Sequence, residues 1–501
     1  MSYLELLRLT APEIIIVLTA LVVLAADLLV LREDPLRNRL QIGAAFAGLG
    51  CVIAAGWLLA VAGPGGELSA LSAGGMFADD SLTRLMKVAL LGLTFATILI
   101  STEGTFTDHV GEYLALILLA TVGMMLMVSA TDLLMIFIAL ELTSLSLYVL
   151  TAFNKRDPKS SEAALKYFLF GGMAAAFTLF GLSFVYGLAG STNLNDIAAH
   201  LINKGGAVDP LLLAAMALTV VGLGFKIAAA PFYMWAPDAY QGAPTPSAAL
   251  IASGSKVAGF FLLARVMIVG FAGAPGSGSW HQYSTGWLPL VAILAGLSVV
   301  TGNLAAIAQT NVKRLLAYSA VAHAGYALLG ILANDSRGIG ALVYYVITYG
   351  VTAVGAFGIV SVVEEQTGNA RLVDFAGFGR REPVLAFCLM IFMLSLAGIP
   401  PLAGFFGKFY LFTAIAGGAV NLGWLWLIIL AIAMSAVSFY YYLGVLKQVY
   451  VVAAPDSAPG PRSAMTTRVV IVVLALLVVA FGCAPDLLLG PLSEAIHGVR
   501  F

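Results

Sequence analysis

Apolar residues in this chain fall in long runs separated by short polar turns. The runs show neither the two-residue alternation of a half-buried strand nor the one-sided stripe of a surface helix. An α-helix crossing a bilayer core needs about 20 mostly apolar residues. Runs of that kind lie at 12–31, 40–62, 82–100, 112–129, 132–153, 163–189, 208–230, 246–271, 287–308, 314–333, 338–363, 384–417, 423–446 and 466–489. The pattern predicts an all-α polytopic membrane protein with about fourteen spans; barrel strands would be about 10 residues long and alternating. The first run is longer than the ~7–15 apolar residues of a signal peptide, and basic residues follow rather than lead it, so it reads as a retained first span. The longest connections, 63–81, 190–209 and 364–383, are too short for a separate domain, and 195–203 reads as a short surface helix.

Two spans are interrupted. Apolar character continues past span 7 through Pro231, Trp235 and Pro237 toward Tyr240. Pro231 lacks a backbone donor and clashes with the preceding turn, so a break is expected just after Lys226. In span 12 the sequence Gly398-Ile399-Pro400-Pro401 does the same, with Lys408 beyond it. Broken helices at membrane depth are tolerated where they are buried in protein or line a wet cavity, and a matched pair points to an ion site. The breaks are five spans apart, and an odd number of spans reverses the direction of a repeated unit. The expectation is an inverted repeat of spans 4–8 (112–271) and 9–13 (287–446), flanked by spans 1–3 (1–111) and span 14 (466–489), all within one membrane domain, 1–501.

Composition agrees and excludes much else. The chain is 61% hydrophobic and 10% charged, with a mean hydropathy of +0.99. A soluble enzyme, a nucleic-acid binder and a disordered protein are all excluded. Cys51, Cys388 and Cys483 sit far apart in apolar runs and read as small hydrophobes rather than disulfides or metal ligands. Most basic residues in the connections follow odd-numbered spans: Arg32, Arg37, Arg39, Lys155, Arg156, Lys159, Lys313, Arg314, Arg380 and Arg381. The opposite side carries Arg8, Lys204, Arg337 and Arg500. The positive-inside bias then places both termini on the outer, periplasmic side.

Charges inside the spans carry the candidate chemistry, since an ionisable group at the bilayer centre costs about 2.5–3.5 kcal/mol and marks function by default. Glu141, Lys256 and His323 lie near the centres of spans 5, 8 and 10, and Lys226 lies at the midpoint of the extended span 7. Arg84, Lys87, Lys166 and Arg265 lie nearer span ends, where snorkelling to the headgroups is expected. Desolvation favours a neutral amine and a nearby carboxylate favours the ammonium. A row of such groups among hydroxyls is therefore a candidate proton wire. A structural ion cluster is the plainer alternative for Glu141, Lys226 and Lys256, and for His323 a satisfied core histidine stands level with a relay. Tyr344, Tyr345, Thr348, Tyr349 and Thr352 are read as lining a hydrated path or as hydrogen-bonded packing. Trp57, Trp424 and Trp426 fit interfacial belts. No nucleotide-binding, flavin or metal motif occurs, so no cofactor or metal site is expected on the chain itself.

The stretch Gly222–Lys256, GLGFKIAAAPFYMWAPDAYQGAPTPSAALIASGSK, resembles the span 7–8 signature of the antiporter-like membrane subunits of respiratory complex I. ELTSLSLY from Glu141, KRLLAYS from Lys313 and GIPPLAGFFGK ending at Lys408 extend the resemblance over nearly the whole chain. Among the three kinds of such subunit it is most similar to the N type. The M type typically carries glutamate at the position of Lys408, and the L type continues into a long lateral helix where this chain has only 490–501. The resemblance implies proton-translocation roles for Glu141, Lys226, Lys256 and Lys408. Glu141 would be the partner of Lys226, Lys256 the central relay, and Lys408 the group toward the exit. It also implies that NADH, FMN, iron–sulfur clusters and quinone belong to other subunits. Expected partners are an M-type antiporter-like subunit, small membrane subunits and lipid, in a bacterial inner membrane. A subunit of a multisubunit cation/proton antiporter shares the span 7 and 8 motifs and is the main alternative. A solute transporter of the commonest twelve-helix kind fits the span count poorly, and a scaffold leaves the buried lysines unexplained.

Overall fold

The computed structural model describes residues 3–61, 75–203, 208–279, 282–418, 423–453 and 463–497. Lys204 and Arg500 lie outside the described residues. Among the described residues thirteen helices are long and apolar enough to cross a membrane, and the broken twelfth span makes fourteen. They are α1 (Ala11–Leu29), α2 (Leu36–Val61), α3 (Ser81–Ile100), α4 (Val110–Ser129), α5 (Leu133–Thr151) and α6 (Pro158–Ala189). The seventh span is α7a (Pro210–Ile227) and α7b (Ala236–Gly242). The eighth, α8, runs Thr245–Ala252 and Gly254–Arg265 with a π-helical turn at Val266–Gly270. Then come α9 (Trp287–Ile307), α10 (Val312–Leu332), α11 (Ser336–Thr367), α12a (Pro383–Ala397), α12b (Ala403–Gly418), α13 (Leu425–Tyr450) and α14 (Met465–Cys483). A surface helix forms at Leu194–Asn203, one residue from its predicted start, and a further helix, Asp486–His497, follows α14.

The helices start where the sequence supplies caps. Asp80, Asp132, Asp157, Asp209, Asn311 and Asp335 each accept a hydrogen bond from a backbone N–H of the first turn, which pairs donors that bilayer surroundings would leave unsatisfied. Pro158 and Pro210 occupy the first turn, where a missing N–H costs nothing.

Local geometry repeats between the two halves. Leu133 N donates to Thr192 O at 2.8 Å and Leu194 N to Thr131 O at 2.9 Å, clipping the start of α5 to the end of α6. The same clip recurs as Val312 N to Ala370 O and Leu372 N to Thr310 O, both 2.8 Å, at the start of α10 and the end of α11. Helices α6 and α11 are both 32 residues long, are capped by Asp157 and Asp335, and end in left-handed Gly190 (φ 71°) and Gly368 (φ 74°). The broken spans match as well. α7a stops at Ala228 (φ 56°), with Ala228 N bonded to Phe225 O and Ala229 N to Gly224 O. α12a stops at Gly398 (φ 89°), with Gly398 N bonded to Ser395 O and Ile399 N to Leu394 O. Pro231 and Pro401 follow at the same spacing. One clip lies on the α4–α5 and α6–α7 side and the other on the α9–α10 and α11–α12 side, as an inverted repeat requires. The second of these sides, which carries Arg32, Lys155, Lys313 and Arg380, is called the basic face below.

The expectation for the outlying charges needs correction. Lys87 does not snorkel: it is buried and pairs with buried Glu13 at 2.7 Å, tying α3 to α1. Arg265 is buried too, donating to Val128 O at 2.6 Å and Thr83 Oγ1 at 2.9 Å, with Asp80 at 3.6 Å. Both have carboxylates within reach, which removes the reason to seek the headgroups. Arg84 pairs with Asp79, and half-exposed Lys166 with Glu162 and Asp238. Helix α8 also departs from a straight span: it is interrupted at Ser253 (φ −109°, ψ −85°), next to Gly254. Lys313, read as part of a turn, is buried in the first turn of α10.

Candidate functional site

The break in α7 places Lys226 one residue before the end of α7a, where it is buried. Its ammonium donates to Ser144 Oγ at 3.1 Å on α5. Glu141, one turn earlier on α5, is half-buried and lines the same small pocket as Ser144, Tyr148 and Lys226. The structure brings carboxylate and lysine together around this pocket without a direct ion pair; Ser144 stands at the lysine's end of it. The freed groups at the break are satisfied by Trp235 Nε1 donating to Phe225 O at 3.1 Å and Ala230 N donating to Ser298 Oγ at 2.8 Å. Pro231 itself is exposed.

Lys256 follows on α8, a helix whose membrane-spanning stretch is wholly buried. Its ammonium donates to Ala320 O of α10 at 2.8 Å. The two lysine helices are in close contact. A Cβ on Gly259 would stand 3.3 Å from Lys226 Cγ and 3.2 Å from Ile227 Cγ2, so glycine is what admits the Lys226 stem here.

His323, also buried, lies between two tyrosine hydroxyls: Tyr345 at 2.7 Å from Nδ1 and Tyr442 at 3.1 Å from Nε2. The Tyr442 hydroxyl also meets Ser319. Next to this group, Asn303 Nδ2 bonds the Tyr326 hydroxyl at 3.0 Å, and Tyr441 donates to Asn303 Oδ1 at 2.9 Å. The Tyr326 ring faces the Lys408 ammonium at 5.0 Å, within cation–π range. Lys408 is buried and reaches back across the break, donating to Leu396 O at 3.0 Å, Ala397 O at 2.9 Å and Ser435 Oγ at 2.8 Å. A cation thus caps the last carbonyls of α12a, where the helix dipole is negative. Gly398 makes room for it: a Cβ there would stand 3.2 Å from Nζ. Pro400 and Pro401 leave those carbonyls unpaired by ending the helix.

The five predicted site residues therefore fall in order across the two halves: Glu141 and Lys226, then Lys256, His323 and Lys408. Sequence reasoning missed the groups between them, namely Ser144, Ser319, Tyr326, Asn303, Ser435, Tyr441 and Tyr442. Ser319, His323 and Tyr326 share one face of α10 at i, i+4 and i+7 spacing, a signal that was available. Of the span 11 residues, Tyr345 and Tyr349 face His323. Tyr344 donates to Phe481 O, and Thr348 and Thr352 bond carbonyls of their own helix. Among the described residues no cluster of His, Cys, Asp or Glu fits a metal ion.

One feature separates the three site lysines from other buried cations. Lys87, Lys313 and Arg265 each have a carboxylate within 4 Å. Lys226, Lys256 and Lys408 bond only hydroxyl and carbonyl oxygens.

Comparison with known proteins adds family evidence. A family described as NADH:quinone oxidoreductase/Mrp antiporter, transmembrane, matches residues 130–438. A protein of Acidobacterium capsulatum named NADH-quinone oxidoreductase subunit N 2 is 48% identical over 97% of this chain and 98% of its own length. Among solved structures, a chain of respiratory complex I from Thermus thermophilus superposes with a TM-score of 0.77 at 34% identity, covering 96% of this chain and 98% of that one. A chain of the Mrp complex from a Dietzia species gives a TM-score of 0.81 at 20% identity, covering 99% and 97%, which shows the shared fold.

Proposed function

This chain belongs to the subunit N family of NADH-quinone oxidoreductase, and from that premise we propose how its residues move protons. It is a multi-pass, proton-translocating membrane subunit of that complex, which is a translocase. The proposed wire runs Glu141, Lys226, Lys256, His323 and Lys408, with the tyrosine–asparagine cluster as connecting hydroxyls. The redox work is assigned to other subunits, which hold NADH, FMN, iron–sulfur clusters and quinone. The complex sits in a bacterial inner membrane with both termini periplasmic and the basic face cytoplasmic. An M-type antiporter-like subunit and small membrane subunits flank this one, with lipid around them. The division into flanking spans (1–111), two five-span units (112–271 and 287–446) and a last span (466–489) is part of the same reading.

The observation that carries it is that none of the three lysines is in direct contact with a carboxylate, Glu141 sharing a pocket with Lys226 without an ion pair. A buried ammonium without a carboxylate is the expensive state. Proton gain and loss at these positions is therefore sensitive to small changes nearby, as at Glu141. A structural ion cluster would instead pair its charges, as Lys87 and Glu13 do.

The antiporter alternative shares the matched family, but its solved structure is only 20% identical to this chain, against 48% for the subunit N relative. The test is Lys256→Met in the whole complex, in membrane vesicles. NADH-driven proton uptake and quinone-reductase turnover should both fall by about a hundredfold or more, the scale of a lost acid–base group, with assembly on native gels unchanged. Wild-type rates in the assembled variant would refute the wire.

A further inference from the structure

Away from the wire, a polar cavity of about 310 Å³ opens at the basic face, between the α5–α6 turn, the α7b–α8 corner and the ends of α10 and α11. Arg156, Asp157, Thr245, Lys313, Glu364 and Glu365 are among its lining residues. At its floor the buried Lys313 ammonium donates to Ala243 O at 3.1 Å, Thr245 Oγ1 at 3.1 Å, and both oxygens of Glu364 at 3.0 and 3.2 Å. The Thr245 hydroxyl donates to Glu364 as well. This pair is built inside out relative to Arg39–Asp27 and Lys87–Glu13, which bury their carboxylates. Here the ammonium is 3% exposed and the carboxylate 33%, turned toward the cavity.

We propose that the Glu364–Lys313–Thr245 cluster is the proton-loading gate through which the wire is fed from the basic face. It rests on the reading of Lys256 as a relay. The direction of the feed follows from α8. Thr245 is in its first turn and Lys256 lies eleven residues on, about 16 Å along the axis at 1.5 Å per residue. Hydroxyls stand at intervals along α8 between them: Ser247 donates to Tyr113 OH at 3.3 Å, Ser253 bonds Ala249 O at 2.6 Å, and Ser255 precedes the lysine.

A hydrated proton from the basic face enters the cavity and protonates the Glu364 carboxylate, leaving water behind and a neutral acid in place. The acid passes a proton to Thr245 Oγ1 while that hydroxyl releases its own inward, leaving threonine unchanged and Glu364 again an anion. The proton ends on a neutral Lys256 amine. Lys313 holds the carboxylate in place while it is charged and loosens it when it is not.

The inverted repeat supplies a control within the molecule. The α5–α10 and α6–α11 matches set Lys313 against Leu134 and Glu364 against Tyr186, on the opposite face. Leu134 is 54% exposed and Tyr186 52%. Neither position carries charge, so of the two matched sites only one is ionic.

The test uses Glu364→Gln in the assembled complex, with Lys256→Met alongside. Turnover of Glu364→Gln should fall by about tenfold at pH 8, and the deficit should shrink toward pH 6, where water supplies protons more readily. The ionisable groups facing Glu364 are Lys313 from α10, Glu365 from its own helix, and Arg156 and Asp157 from the α5–α6 turn; all are retained. A deficit of the same size at every pH marks a purely structural pair and overturns the proposal, as does normal turnover throughout. If Glu364→Gln does not assemble, Glu364→Asp is measured instead. A slowed rate whose deficit shrinks toward pH 6 supports the gate, and a deficit independent of pH or a wild-type profile overturns it. Normal turnover in Lys256→Met would sink the underlying wire rather than the gate alone.

Discussion

Lys408 offers the sharpest separation of relay from scaffold. Replacing it with Met removes three hydrogen bonds, to Leu396 O, Ala397 O and Ser435 Oγ. Two helix-end carbonyls are then left in a buried setting, at about 1–3 kcal/mol each. Against that loss stands the desolvation of the ammonium, several kcal/mol, which the variant no longer bears. The two nearly cancel, so Lys408→Met should assemble. Lys408→Arg tests the other half of the argument. Guanidinium keeps the charge and can cap the carbonyls, but it does not give up its proton. It must also fit where a Cβ on Gly398 would already stand 3.1 Å from Lys408 Cδ. Both variants should assemble on native gels, and both should lose NADH-driven proton uptake by about a hundredfold or more, the scale of an acid–base group. A structural role ranks them the other way: Lys408→Arg would pump near normally while Lys408→Met failed to assemble. That ranking would refute the reasoning.

Three further outcomes are expected. Glu141→Gln should lower pumping and quinone-reductase turnover together with assembly intact, and Glu141→Asp should do so less, since the charge survives about one methylene back; both rates are read in vesicles containing the full complex. Gly259→Val should press on the Lys226 stem from the 3.2–3.3 Å contact already present, at about 1–3 kcal/mol of overpacking, and should slow coupled turnover more than Gly259→Ala does. Lys87→Ala should leave Glu13 buried and unpaired, at about 3–5 kcal/mol, and lower the melting temperature of the complex. The double change Glu13→Leu with Lys87→Met should restore it, and a single variant as stable as wild type would show that the pair contributes nothing.

The spans were legible because a bilayer core leaves the chain no choice: every backbone donor must be met within the helix, and the side chains outside must be apolar. Glu141, Lys226 and Lys256 stood out for the same reason, since charge at that depth is costly. The breaks were legible from proline chemistry, and α7a does end one residue after Lys226. What escaped was pairing at long range. Lys87 reads as a snorkelling residue until Glu13, 74 positions earlier, is brought 2.7 Å away by the packing of α1 on α3. Lys313 reads as turn because its neighbour Arg314 is also basic, although Asn311 before it is a helix cap. Tyr326, Tyr441 and Tyr442 escaped because tyrosine in a span is ordinary. Only the fold shows that their hydroxyls meet Asn303, Ser319 and His323. The break in α8 had a signal in Ser253-Gly254, but no proline to announce it.

An inverted repeat alone is indifferent to direction, because rotating it exchanges its faces. Direction has to come from side chains that break the symmetry, and the matched breaks show where they do. Counted from the shared proline, the position seven residues on is Asp238 in the first half and Lys408 in the second. Asp238 is 30% exposed and held between Arg314 and Lys166 on the basic face. Lys408 is buried against the end of α12a. Five residues before the same proline stands Lys226 in the first half and apolar Leu396 in the second. The lysine of the first half thus hangs from the helix before its break and that of the second from the helix after it. With the ionic mouth at Glu364 present on one face only, the proposed wire has a charged intake on the basic side. Its last lysine lies beyond the break nearer the opposite side. The scaffold provides two matched hinges, and in the proposed wire the placement of a handful of charges on it tells its two ends apart.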